Sequence, residues 1–171
     1  MSEYLNCLMP KLTSLVEANQ KALSLATDLF AQAIIKDNMI QVLGTGHSHM
    51  IGLEGFIRAG GLGNINAILD SVLLTNDGAL RGSAMEKLPG LAEVIWNDQN
   101  ISPNDVVVVI SNSGRNALPI EFAQIAKAKG HPVIAITSVE QSSKYPSRHS
   151  SGLKLMDIAD VVIDNQVPPG D

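Results

Sequence analysis

Cysteine is almost missing from this chain. Cys7 stands alone among 171 residues, which excludes an internal disulfide and a paired-cysteine metal knuckle and agrees with a reducing, cytoplasmic setting. Aromatic residues are also scarce, at 4%, and the 12 basic residues are outnumbered by 17 acidic ones for a net charge of −5. A chain short of stacking rings and of positive charge lacks both footprints of a nucleic-acid binder. No apolar run approaches the ~20 residues that cross a bilayer, and the opening MSEYLNCLMP lacks the basic-then-apolar order of a secretory signal. Neither a membrane nor nucleic acid is therefore expected as a partner.

What the chain does have is enough apolar material, 45% of its residues, to build the core of one globular unit. Short runs rich in Val and Ile, namely MIQVLG (39–44), NAILD (66–70), VVVVI (106–110), PVIAIT (132–137) and DVVID (160–164), are bounded by Gly, Asn, Asp or Pro and predict strands. They show no clean polar alternation, so both faces should be covered. Between them, LPGLAEVIWNDQ (88–99) and ALPIEFAQIAKAKG (117–130) carry helical periodicity; the second has Pro119 in its first turn and Gly130 as a stop. Strand, helix and parallel strand in alternation predict an open α/β sheet between layers of helix.

The two ends of the chain raise separate questions. Leu5, Leu8, Leu12, Leu15, Asn19, Ala22, Ala26, Leu29 and Ala33 recur at spacings of three and four, a narrow stripe along residues 1–36. It suits packing on the chain's own sheet or contact with another subunit equally well. Pro10 is expected to start the main helix or kink it. At the other end, NQVPPGD follows the fifth strand with no helix to cover one sheet face. That predicts a chain that is C-terminally incomplete, or a partner that supplies the cover.

Two polar loops carry the chemical signal. VVVVI ends abruptly in SNSGRN (111–116), at the junction with the predicted helix 117–129, where free backbone N–H groups gather at the positive end of a helix dipole. Ser111, Ser113 and Asn116 add side-chain donors, and Gly114 would let an anion approach the backbone. The same residues also suit ordinary helix capping. A second strand-to-helix junction, GTGHSH (44–49), repeats the pattern. It lacks the third glycine of a dinucleotide fingerprint, and no G-K-[ST] phosphate loop occurs anywhere. In the common strand order 2-1-3-4-5 the ligand crevice opens between the first and third strands, and both loops would flank it.

GTGHS and SNSGRN together resemble the G-x-G-x-S and S-x-S-G-x-T loops of the sugar isomerase (SIS) domain, a family of phosphosugar-binding proteins, and the resemblance runs from about Gln41 to Asp164. It implies a three-layer αβα sandwich, flavodoxin-like, with a five-stranded parallel sheet of order 2-1-3-4-5. The domain would occupy residues 37–171 behind a helical segment, 1–36, used for packing or dimerisation. HSHM, RAGGL, PSRHSSG and NQVPPGD extend the likeness to a bacterial branch related to phosphoheptose isomerases and to N-acetylmuramic acid 6-phosphate etherase. Carried over by position, Gly46, Ser48, Ser111, Asn112, Ser113, Gly114, Arg115 and Asn116 would bind the phosphorylated sugar, Asn116 replacing the usual threonine. The resemblance also implies a homodimer or homotetramer.

Enolising a sugar aldehyde needs a base for the proton beside the carbonyl and an acid for its oxygen. His49 and Glu54 follow the first loop, Glu86 lies with Asp77 and Arg81 after the second strand, and His149 sits beside Arg148 in the polar stretch YPSRHSSG. Glu54, His49, His149 and Glu86 are the candidate catalytic residues. Zinc could use His47 and His49 with Glu54 or His149. Phosphoheptose isomerases resemble this in using zinc, but the histidine and glutamate of their corresponding helix fall on Glu54 and Arg58, so no metal or other cofactor is expected. Aldose–ketose isomerisation of a phosphosugar is the expected activity. A phosphosugar lyase or etherase, and a non-catalytic phosphosugar sensor, are the alternatives.

Overall fold

The fold is that of a computed structural model, which describes residues 2–75 and 78–170. Asp77, one of the acidic residues named above, lies outside them. Five parallel strands form one sheet: β1 (Ile40–Gly44), β2 (Ile65–Ile68), β3 (Val106–Ile110), β4 (Val133–Thr137) and β5 (Val161–Asp164), in the order β2-β1-β3-β4-β5. Every residue of β1 and β3 is buried. Strands covered on both faces are the ones that read as unbroken Val and Ile runs, and each fully buried side chain of this size is worth about 1.5–3 kcal/mol.

The alternation of the pleat divides β3 between two cores. Val107 and Val109 meet Leu43, Val133 and Ala135 on one face. There the cover is α5 (Leu91–Asp98), α6 (Ala117–Ala128) and the short α8 (Leu155–Ile158), and the Trp96 and Phe122 rings pack at 5.0 Å between centroids. Val106, Val108 and Ile110 face the other way with Val42, Ile134 and Val161. That face is covered by α2 (Gln20–Ile35), through Ala26 and Ala33, and by α3 (His49–Gly55), whose Gly52 lies against Val42 and Ala67. Helix α2 reaches β5. One face of β5 is thus covered from the amino-terminal end of the chain.

The long apolar stripe is split between two helices. α1 (Glu3–Ala18) runs on through Pro10, and the break comes at Asn19 instead. The buried Asn19 carboxamide donates to the carbonyls of Leu15 and Asp164 and accepts the Asp164 N–H, each at 2.8 Å. It thereby satisfies the free edge of β5, a stronger constraint on the chain than the one helical bond that Pro10 removes. Beyond Asn19 the stripe packs on the sheet. Before it, α1 has no buried residue, and Leu5, Met9, Leu12 and Val16 are exposed. No helix among the described residues is long and apolar enough to cross a membrane.

At the amino-terminal end of the sheet a buried carboxylate sets the register. Asp105 accepts hydrogen bonds from the N–H groups of Met39 and Ser102, both at 2.9 Å, and from the Gln41 side chain at 2.7 Å. Gln41 in turn accepts from Asn66 at 2.7 Å. β2, β1 and the start of β3 are tied side chain to side chain. Asp105→Ala leaves these donors without an acceptor and is expected to cost about 2–4 kcal/mol, measured as a lower urea midpoint at unchanged slope.

Candidate functional site

β1 and β3 lie side by side, with Gly44 opposite Ile110. The chain leaving β1 enters α3 on one face of the sheet, and the chain leaving β3 enters α6 on the other. This divergence opens a crevice, and both polar loops stand at its mouth.

The first loop depends on two glycines for different reasons. A Cβ on Gly44 would lie 2.4 Å from the carbonyl carbon of Ser48 and 2.6 Å from the amide nitrogen of His49, so the loop can fold back over the strand end only there. Gly46 has open space around it but takes φ +53°, which a side chain opposes. As a result Thr45, Gly46, His47 and Ser48 line the crevice. His49 turns inward instead, buried, with Nδ1 against the Gly46 carbonyl.

The second loop is stapled from beneath. The Asn112 carbonyl accepts from the Ser138 N–H at 3.0 Å and the Thr137 hydroxyl at 3.2 Å, while its side-chain oxygen accepts from Asn165 at 2.9 Å. Ser111 Oγ accepts from the Gly114 N–H at 3.2 Å. Gly114 takes φ +57°, and a Cβ there would meet Thr137 Oγ1 at 2.9 Å and Leu155 Cβ at 3.3 Å. A side chain there would point into the protein, so the structure uses this glycine for positive φ and interior packing. Asn116 occupies the N-cap position of α6 without a side-chain cap bond; its Oδ1 accepts from Arg148 Nη1 at 3.0 Å. The Leu118 N–H of that helix is satisfied by the main-chain carbonyl of Glu86 at 3.0 Å. Ordinary capping therefore does not account for the Asn116 side chain.

Glu86 follows α4 (Ala79–Met85) and is held on both sides. Besides its carbonyl bond to Leu118, its Oε2 accepts from the Thr45 hydroxyl at 2.7 Å. Its carboxylate stands between two lobes of the crevice. One lobe, of about 270 Å³, is lined by the first loop and by Ser111, Asn112, Ser113 and Asn116. The other, of about 390 Å³, is lined by Arg115, Gln141, Tyr145, Arg148 and Gly170, and both lobes share Glu86, Ser113 and Asn116. The Arg115 guanidinium lies over the Tyr145 ring, 5.2 Å from its centroid. Burial, then the charge of Arg148, lowers its pKa below the ordinary arginine value, with Tyr145 acting in the opposite sense.

Of the four acid–base candidates, the structure brings only Glu86 into this crevice. Glu54 is exposed on α3 and ion-paired with Arg58. His149 meets Glu121 of α6 through Nε2 at 3.3 Å and the Ser151 hydroxyl through Nδ1 at 2.8 Å, and it does not line either lobe. Among the described residues no three His, Cys, Asp or Glu side chains gather as metal ligands. Thr45, Gln141 and Tyr145 were missed from the sequence. Tyr145 stands in the polar stretch already noted around Arg148, whereas Gln141 carries no local signal.

A parallel sheet with a crevice at the β1/β3 switch and paired serine-bearing loops defines a class of α/β domain. The chain belongs to the SIS domain family, whose model matches residues 3–138 and takes in both loops. It is 39% identical over its whole length to a UPF0309 protein of Geobacillus kaustophilus, spanning 68% of that protein. It is 43% identical over 141 residues to a UPF0309 protein of Listeria monocytogenes, spanning 57% of that one. Solved structures with the same fold include a phosphoheptose isomerase from Francisella tularensis, with a TM-score of 0.61 at 17% identity over 98% of this chain and 88% of that one. Another is a phosphoheptose isomerase from Neisseria gonorrhoeae, with a TM-score of 0.55 at 19% identity and the same coverage.

The two glycines of the first loop provide a direct check on its construction. Gly46→Ala should cost about 1 kcal/mol, since only the positive φ opposes it. Gly44→Ala should cost about 3 kcal/mol or more, because its methyl group meets backbone that cannot yield. Paired urea melts of the two variants measure that difference, and equal losses would mean that the loop does not sit over Gly44.

Proposed function

We propose that the crevice binds a phosphorylated sugar and that Glu86 acts as the base in its aldose–ketose isomerisation. The observation that carries this reading is the state of the polar groups beside the α6 N-terminus. Ser48 and Ser113 hydroxyls bond to no other described residue, and Asn116 is not used as a cap. Hydroxyl and N–H donors at a helix N-terminus suit a phosphate group. The SIS family match and the phosphoheptose isomerase fold support the ligand class. Glu86 is anchored through Oε2 to Thr45, which leaves Oε1 for a proton beside the carbonyl of a bound sugar.

Phosphosugars should raise the melting temperature, and their unphosphorylated parents should not. Ser113→Ala is expected to weaken phosphosugar binding about tenfold with folding almost intact, because it removes one charge-assisted hydrogen bond and opens no core cavity. Incubation in D₂O should wash deuterium into the carbon beside the carbonyl. Glu86→Gln, which can still accept from Thr45, should slow that exchange by about 10²-fold or more. His49, Glu54 and His149 face away from the crevice, which favours a non-catalytic phosphosugar sensor as the second reading. Tight binding with no exchange in the unaltered protein would select it over isomerisation.

The exposed apolar residues of α1 support pairing with a second copy of the chain as a homodimer. Replacing both Leu12 and Val16 with glutamate should then shift sedimentation towards the monomer while the circular-dichroism spectrum of the folded chain is retained, since neither side chain is buried in the fold. A monomer before substitution would remove this assignment.

A further inference from the structure

The two lobes of the crevice differ in charge in a way that a single phosphate does not explain. The lobe built from the two serine loops contains no lysine or arginine; its donors are hydroxyls, amides, backbone N–H groups and the His47 ring, and the Glu86 carboxylate lines it as well. The neighbouring lobe contains two guanidiniums, Arg115 and Arg148, and among the described residues neither is paired with a carboxylate. Arg115 Nε is fully buried and without a hydrogen-bond partner.

Like charges gathered in a partly desolvated pocket repel each other, and an unpaired buried donor adds its own cost. Folding tolerates such an arrangement most readily where a ligand supplies the missing charge. Arg148 Nη1 already donates to Asn116, which fixes it at the boundary with the first lobe, and Tyr145 holds the Arg115 guanidinium from one side. Two planar cations held in place present donors suited to the paired oxygens of a carboxylate or phosphate.

We infer that the ligand carries two anionic groups: a phosphate held by the serine loops, and a second group, carboxylate or phosphate, held by Arg115 and Arg148 across Glu86. This rests on the phosphosugar reading and narrows its substrate class. The sugar carbons would lie across the shared wall of Glu86, Ser113 and Asn116, which places the proposed base against the middle of the molecule.

Titration calorimetry with glucose 6-phosphate, 6-phosphogluconate and glucose 1,6-bisphosphate tests it, the last two separating a carboxylate from a second phosphate. At least one of the two ligands with two anionic groups should bind about tenfold or more tighter than glucose 6-phosphate. Arg115→Met and Arg148→Gln, made separately, should each reduce that preference to about twofold or less, whatever they do to affinity overall. A preference ratio survives a general loss of affinity, and the two variants disturb different neighbours, Tyr145 and Asn116. Equal binding of all three ligands by the unaltered protein, or a preference that persists in both variants, overturns the second anionic subsite and leaves the phosphosugar reading standing. Failure of all three to bind overturns both.

Discussion

The crevice exists because β1 and β3 run side by side in one register, and that register depends on a buried carboxylate at the far end of the sheet. Asp105 gathers donors from Met39, Gln41 and Ser102, and Gln41 passes the connection on to Asn66 of β2. A carboxylate removed from water is tolerated only when its oxygens are saturated, so these partners are obligatory rather than opportunistic. Slipping β3 by one residue would exchange its two apolar faces, setting Val107 and Val109 against α2 and breaking the Asp105 bonds together. With the register held, Gly44 and Ile110 end level with each other, and the two loops emerge from adjacent points.

Polar residues of the same types behave differently at the two ends of the sheet. At the amino-terminal end, Asp105, Gln41 and Asn66 use one another, and the His131 ring donates to the Asp105 carbonyl at 3.0 Å. At the carboxyl end the main chain of both loops is firmly held, yet Ser48, Ser113 and the Arg115 Nε have no partner among the described residues. A rigid frame carrying unused donors is preorganised for a ligand, because little ordering remains to be done on binding. The chain as a whole is negative, −5, while the lobe at Arg115 and Arg148 collects cations. Local placement, not overall charge, sets what the crevice attracts.

Glu86 joins the two loops. Its carbonyl takes the Leu118 N–H that an N-cap side chain would otherwise satisfy, which frees Asn116 to face Arg148. Its carboxylate takes the Thr45 hydroxyl and so links the second-strand connection to the first loop. One residue outside both motifs therefore fixes the spacing between them.

The strands and the two loops could be read along the chain because each rests on local patterns: unbroken Val and Ile runs, a glycine where the backbone must turn sharply, serines at a strand end; the strand order is not a local property and came with the family resemblance. Val106–Ile110 has the bounds that its sequence predicts. The family resemblance rested on the same short stretches. The break at Asn19 was not legible, because its cause is a hydrogen-bonded contact with Asp164, 145 residues away. Nor could the sequence rank Glu54, Glu86, His49 and His149, since direction is not a property of a residue type. Glu54 pairs with Arg58 one helical turn on, His49 lies under its own loop, and His149 finds Glu121 on α6. Glu86 alone is turned to the crevice, by the Leu118 and Thr45 bonds. Composition and periodicity determined which segments form the strands; which side chains face the opening was decided by hydrogen bonds between distant segments, which exist only once the layers have packed.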